Sequence, residues 1–306
     1  MDKNNNFFTT DINKKKCLLF IVKFKRVYIK CIFLIIIIIF HTNFYFLSEL
    51  EFKNKSINKN KNKIDLFEIF SKFISYSQHL EDLVLYSIFY DVKNGFYIDV
   101  GAHDPNIISV TKAFYLLGWY GINIEPLPEK YKALKNSRKR DINLNLGIGE
   151  KKGIAILNID TKCKACTSIS KRKKKNNTNR YRYLNIMINT MSNICKKYVP
   201  KKEIIQFCKI DVEGAEKNVL LGFDFFNFRP KIFCIESLIP NKSNKIWENI
   251  LLDNDYSFIY QYLVNRFYID NRIKGLRERF FLTDKIINNY LKKKNNNFLK
   301  NKQTDK

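Results

Sequence analysis

FYIDVGAHDP (residues 96–105), YGINIEP (120–126) and FCKIDVEGAE (207–216) decide the fold of this chain. Each is an apolar run that ends in a carboxylate and a small residue or a proline-containing turn. That is the pattern of a buried parallel strand delivering its C-terminal tip to a ligand crevice. A glycine-bearing turn follows the first run, a lone Glu125 ends the second, and an acidic cluster of Asp211, Glu213 and Glu216 ends the third. This order suits a nucleotide-like cofactor and a reaction centre lying side by side.

Working outward, SQHLEDLVLYSIFY (77–90) places Leu80, Val84 and Ile88 on one helical face that should pack on a sheet. The pattern then predicts strand 96–100, helix 109–117, strand 120–124, helix 128–137, strand 142–146 and a hairpin through 153–159. Helix 191–198, strand 204–211, helix 215–221, strand 231–236 and helix 243–252 follow, and 256–260, 266–269 and 279–282 read as closing strands. Alternating β and α units define an α/β, doubly wound, mostly parallel sheet, and the strand-rich end adds an antiparallel closing pair. The folded domain is predicted to span 64–290, with a basic insert at 171–180 and a disordered basic tail at 291–306.

The chain has 306 residues and is 45% hydrophobic, enough for one sizeable core with appendages. Lys and Arg number 55 against 29 acidic residues, a net charge of +26. Much of that surplus sits in Lys/Asn-rich tails and the insert. No RNA-binding aromatic signature or zinc-finger spacing accompanies it, so no nucleic-acid partner is expected. Seven irregularly spaced cysteines favour reduced thiols, and Cys163-x-x-Cys166 lacks the second pair of a zinc site. After a basic segment at 1–30, CIFLIIIIIFHTNFYFL (31–47) carries no Lys, Arg, Asp or Glu. A spanning helix needs about 20 residues. The run is therefore expected to form a single-pass membrane anchor followed by a linker at 48–63, the alternative being a cytoplasmic protein.

At the first turn, Gly101 and Ala102 let the backbone approach a ligand. A dinucleotide fingerprint needs G-x-G-x-x-G, and His103, Asp104 and Pro105 break it. An acidic turn repels a pyrophosphate but can hold an ammonium or a sulfonium, which favours S-adenosylmethionine over NAD. Glu125 ends its strand where a carboxylate can accept both ribose hydroxyls; as a plain alternative, it marks a helix start before Pro126.

The chain resembles the FkbM family of S-adenosylmethionine-dependent methyltransferases. The resemblance is carried by SQHLEDLVL, GFYIDVGAHDP, SVTKAFYLLGWYGINIEPLPEKYKAL, residues 140–143, and KIDVEGAEKNVLLGFDF with RPKIFCIES, from about 77 to 237. It implies a class I Rossmann-like fold and methylation of hydroxyls on sugars, glycan-like acceptors or secondary metabolites. It also places Asp99, Gly101 and Asp104 at the cofactor's methionine end, Glu125 at its ribose, and Asn143 and Asn145 near its adenine. The insert and the anchor depart from the family core.

An alcohol is a weak nucleophile at neutral pH, so a base that takes its proton during attack helps. Asp211 and Glu213 are candidates for that base, or for ligands of a divalent metal that lowers the hydroxyl's pKa. Glu213 and Glu216 can equally serve a helix N-terminus. His103 and His79 are further base candidates. The competing functions are an NAD(P)-dependent oxidoreductase on the same architecture and a non-catalytic glycan- or membrane-binding relative.

Overall fold

A computed structural model of the chain describes residues 66–162, 167–170, 180–237 and 247–304. The run at 31–47, the cysteine pair at 163 and 166, and most of the insert lie outside the described residues. Among the described residues, no helix is long and apolar enough to cross a membrane.

The predicted alternation is present. Strands β1 (Phe96–Val100), β2 (Tyr120–Ile124) and β3 (Ile142–Leu144) are followed by two strands of a smaller sheet, β4 (Gly147–Ile148) and β5 (Gly153–Asp160). Then come β6 (Thr167–Ser170), β7 (Tyr181–Asn189), β8 (Ile205–Ile210), β9 (Ile232–Glu236), β10 (Tyr256–Tyr262) and β11 (Asn265–Asp270). The main sheet has the order β10-β11-β9-β8-β1-β2-β3. Its β3, β2, β1, β8 and β9 run parallel, and β11 and β10 close it antiparallel. Every residue of β1 and β8 is buried, because helices cover both faces.

Side chains alternate between two cores. Phe96, Ile98 and Val100 join Met191 and Ile194 of helix α5 (Met191–Tyr198), Val219 of α6 (Glu216–Leu221) and Leu251 of α7 (Glu248–Leu252). Tyr97 instead joins the cluster containing Phe70 of α1 (Leu66–Ser71), Val84 and Ile88 of α2 (Glu81–Phe89) and Phe114 of α3 (Lys112–Leu116). Helix α4 (Pro128–Ser137) spans the predicted residues, with proline in its first turn where the ring costs no hydrogen bond.

Four expectations are corrected. Residues 153–159 form no hairpin: β5 is one straight strand paired antiparallel to both β6 and β7, so the turns lie outside it. The strand expected over 142–146 stops at Leu144, and the chain crosses to the second sheet, order β4-β7-β5-β6. Residues 279–282 are not a strand. They form a 3₁₀ turn (Glu278–Leu282) that runs into helix α8 (Thr283–Thr304), and this helix takes in most of the stretch whose composition suggested a disordered tail. Ile286, Ile287 and Tyr290, at helical spacing, are buried against the α1–α2 core, and that packing outweighs the polar composition.

Candidate active site

The tips of β3, β2, β1, β8 and β9 stand side by side in that order. At about 4.8 Å per step, the row is about 19 Å across. A crevice runs along it, enclosing about 940 Å³ of non-protein space open to solvent. Its β3 end is apolar, with Leu127 and Leu146, and with Ile148, Leu157 and Ile169 from the second sheet. Its β8–β9 end is acidic, with Asp211, Glu213 and Glu236, and Glu125, Gly101 and His103 line it as well. Non-glycine residues with left-handed backbone cluster here: His103 at φ 49°, Ile108 at 56° and Glu213 at 52°. Such strain concentrates at functional sites.

Gly101 makes the close strand tips feasible. Its φ is +79°, and a Cβ there would fall 1.9 Å from the Asp211 carbonyl oxygen. Gly101 and Ala102 both donate backbone N–H bonds to the Ile124 carbonyl, at 3.0 and 3.1 Å.

Glu125 is 4% exposed and accepts from the His103 N–H through Oε2 and from the Leu127 N–H through Oε1, each at 2.8 Å. The helix-start role is therefore real, yet each oxygen keeps acceptor capacity toward the crevice. Burial outweighs those two bonds and pushes its pKa up to about 7.

Lys209, which the sequence reading passed over, is central to the site. Its Nζ donates to the Gly101 carbonyl at 2.8 Å and lies 3.4 Å from Asp99 Oδ1 and 3.3 Å from Asp211 Oδ2. Burial opposes its charge, but the two carboxylates prevail and raise its pKa. Burial would likewise raise Asp211, but Lys209 and the adjacent Glu236 carboxyl carry it below the usual range. Glu236 is the converse: burial and the Asp211 charge push it up to about 8, and its buried Oε2 has no hydrogen-bond partner. Glu213 is raised by burial and by Asp211. Asp211, Glu213 and Glu236 each bring a carboxylate oxygen within 4.8 Å of the others, the donor set of hard oxygens that suits a divalent cation.

The other candidates are placed less directly. Asp99, 1% exposed, accepts from the Thr111 hydroxyl at 2.9 Å and reaches the site through Lys209. Asp104 accepts from the Asn106 and Ile107 N–H groups and pairs with Lys130 at 3.0 Å, so its charge is already balanced. Asn143 donates to the Arg138 and Asp141 carbonyls, and Asn145 to those of Glu125 and Pro126. These amides brace the turns after α4 and β2, and neither lines the crevice. His103 lines it with Nε2 buried and unpartnered, its pKa lowered by burial and by Lys130. His79 lies 3.7 Å from Glu81 and does not line the crevice. Glu216 accepts from the Gly214 N–H at 2.9 Å, at the start of α6.

A parallel sheet whose strand tips carry a glycine turn, a buried acid and an acidic cluster along one crevice has the arrangement in which open α/β sheets bind ligands. The sequence model described as the methyltransferase FkbM domain matches residues 99–269, more than half of the chain, and the chain belongs to this family. Among solved structures, the chain is similar to methyltransferase FkbM from Methylobacillus flagellatus KT, determined at 2.20 Å resolution. Identity is 13% and the TM-score 0.36, over 66% of this chain and 57% of that one; the chain thus matches little more than half of that neighbour's length. No curated protein matches the chain significantly.

Proposed function

We propose that this chain transfers a methyl group from S-adenosylmethionine to a hydroxyl of a saccharide-containing acceptor, and that residues 31–47 tether it to a membrane. The observation that carries the reading is the row of strand tips. It sets an apolar end, a buried acid with spare acceptor capacity and a carboxylate cluster in the sequence that a base, a ribose and a reacting centre require.

Leu127, Leu157 and Ile169 offer an apolar wall to an adenine, and Glu125 offers acceptors to two ribose hydroxyls. When bound, the cofactor supplies a methyl group on a cationic sulfur, and the acidic end of the crevice favours that charge. Glu125 and the turn at Gly101 would hold that cofactor, and its sulfur would keep the bonding electrons when the methyl is given to the acceptor oxygen. Asp211, kept ionised by Lys209, takes the hydroxyl proton, and Glu213 stands beside it as the second candidate. Rate comes mainly from holding the oxygen in line with the methyl at roughly 3–3.5 Å.

Asp211, Glu213 and Glu236 form a fitting donor set for a divalent metal, which would lower the hydroxyl's pKa. Lys209 already provides Asp211 with a cation, so the general-base reading comes first. The missing glycines weigh against an oxidoreductase. Calorimetry with S-adenosylmethionine, S-adenosylhomocysteine and NAD tests the reading: micromolar-range binding of the first two and none of NAD is expected, and binding of NAD alone would overturn it.

A further inference from the structure

The motif SQHLEDL has no part in the cofactor reading, yet the fold strains to place it. Asp82, fully buried, accepts from the Ser75 hydroxyl at 2.7 Å, the Tyr76 N–H at 2.7 Å and the Ser77 N–H and hydroxyl at 3.2 and 2.7 Å. Glu81 accepts from the His79 N–H at 2.8 Å and from Asn265 Nδ2 at 2.7 Å. Asn265 opens β11 and stands in register with Glu236 at the end of β9. On the other side, the Ser109 N–H donates to the Tyr76 carbonyl at 3.0 Å, beside the left-handed Ile108. Leu80 is itself left-handed, at φ 59°.

Two buried carboxylates and a cross-loop bond thus strap residues 75–80 between the turn after β1 and the β9–β11 end. That end is the acidic one, beyond the row's apolar and ribose positions. Gln78 sits in the middle of the strap, lines the crevice together with Ile108 and Glu236, and its side-chain amide has no hydrogen-bond partner among the described residues.

We infer that Gln78 is an acceptor-binding residue whose amide takes hydroxyls of a neutral, polyhydroxylated acceptor. An amide offers two donors and an acceptor, a set that matches neighbouring hydroxyl groups. Asp211, kept ionised below the usual carboxylate range and standing beside Glu213, repels an anionic acceptor such as a phosphate or carboxylate, and a neutral amide adds no counter-charge for one. The inference rests on the methyltransferase reading above and adds the residue and the acceptor's charge class.

The test uses the full chain, radiolabelled S-adenosylmethionine and a panel of methyl glycosides, with glycerol phosphate and glucuronate as anionic comparisons. Wild type should methylate at least one neutral glycoside and neither anion. Gln78→Ala should raise KM for that glycoside about 3–10-fold, the scale of one neutral hydrogen bond, with kcat and S-adenosylhomocysteine affinity within about twofold. Gln78 is exposed, so the thermal midpoint should not move. Unchanged KM, or cofactor affinity falling in step, overturns the assignment. A wild type that binds S-adenosylhomocysteine but methylates only the anions, or no glycoside, overturns the acceptor class. A wild type that binds no cofactor overturns the methyltransferase reading instead.

Discussion

Lys209 and Asp211 stand two residues apart at the tip of β8, so their side chains share a face, with Nζ 3.3 Å from Oδ2. The same ammonium reaches Asp99 at the tip of β1, and Asp99 is 1% exposed. Lys209→Met would leave that buried carboxylate without a counter-charge. Removing one partner of a buried pair costs about 3–5 kcal/mol, and urea unfolding should show a loss of that size. Asp99→Asn in the same background should recover most of it. A single variant as stable as wild type would show that the strand tips do not depend on this pair.

Glu125 should govern cofactor affinity. Glu125→Ala is expected to weaken S-adenosylhomocysteine binding by about 1.5–3 kcal/mol, the scale for hydrogen bonds to a charged group. Its pKa near 7 adds a pH signature. On the proposed reading, the ionised carboxylate accepts from both ribose hydroxyls, so affinity should rise as pH rises through about 7 and level off above it. Affinity flat across that range in wild type would remove Glu125 from the ribose.

The same shift acts on stability. Folded Glu125 holds its proton up to about 7, whereas the unfolded chain releases it near 4.5. Between those values the folded state binds more protons, so this residue's contribution falls as pH rises. Comparing thermal midpoints of wild type and Glu125→Gln should show the difference moving in the variant's favour from pH 4.5 to about 7, then staying constant. A difference independent of pH would mean that the carboxylate is solvated in the folded chain.

The three opening runs were legible because a buried parallel strand has few solutions: β1, β2 and β8 fall within one residue of their expected bounds. Glu125 and Asp211 were legible for the same reason, since a carboxylate at the end of an apolar run has only the crevice to face. Lys209 was missed because a lysine inside FCKID reads as an interruption. Only the spatial meeting of β1 with β8 shows two carboxylates and a carbonyl around it. Glu236 was hidden similarly, as the end of an edge-ward strand whose partner Asp211 lies 25 positions earlier. Helix α8 was missed because Asn and Lys dominate its composition, and only the contacts of Ile286, Ile287 and Tyr290 reveal its buried face.

The proposed anchor at 31–47 is tested directly by fractionation. The full chain should pellet with membranes and resist carbonate extraction, because seventeen residues free of Lys, Arg, Asp and Glu approach the length of a spanning helix. A chain beginning at residue 64 should stay in the supernatant. Recovery of the full chain in the soluble fraction would mean that His41, Thr42 and Asn43 make the run too polar to insert.

Chemistry at the acidic end separates a base from a metal. Asp211→Asn or Glu213→Gln should lower turnover about 10²–10⁴-fold, the usual contribution of proton transfer, with little change in S-adenosylhomocysteine affinity. Under the base reading, chelator leaves wild-type turnover intact. Glu236→Gln then costs little, because Glu236, raised to about 8, is already largely protonated at neutral pH. Under the metal reading, chelator abolishes turnover, a divalent ion restores it, and Glu236→Gln is as damaging as Glu213→Gln because it removes a ligand. If Asp211→Asn and Glu213→Gln both retain near-normal turnover, the cluster serves the start of α6 alone. His103, with its unpartnered Nε2 in the crevice, then becomes the base to test.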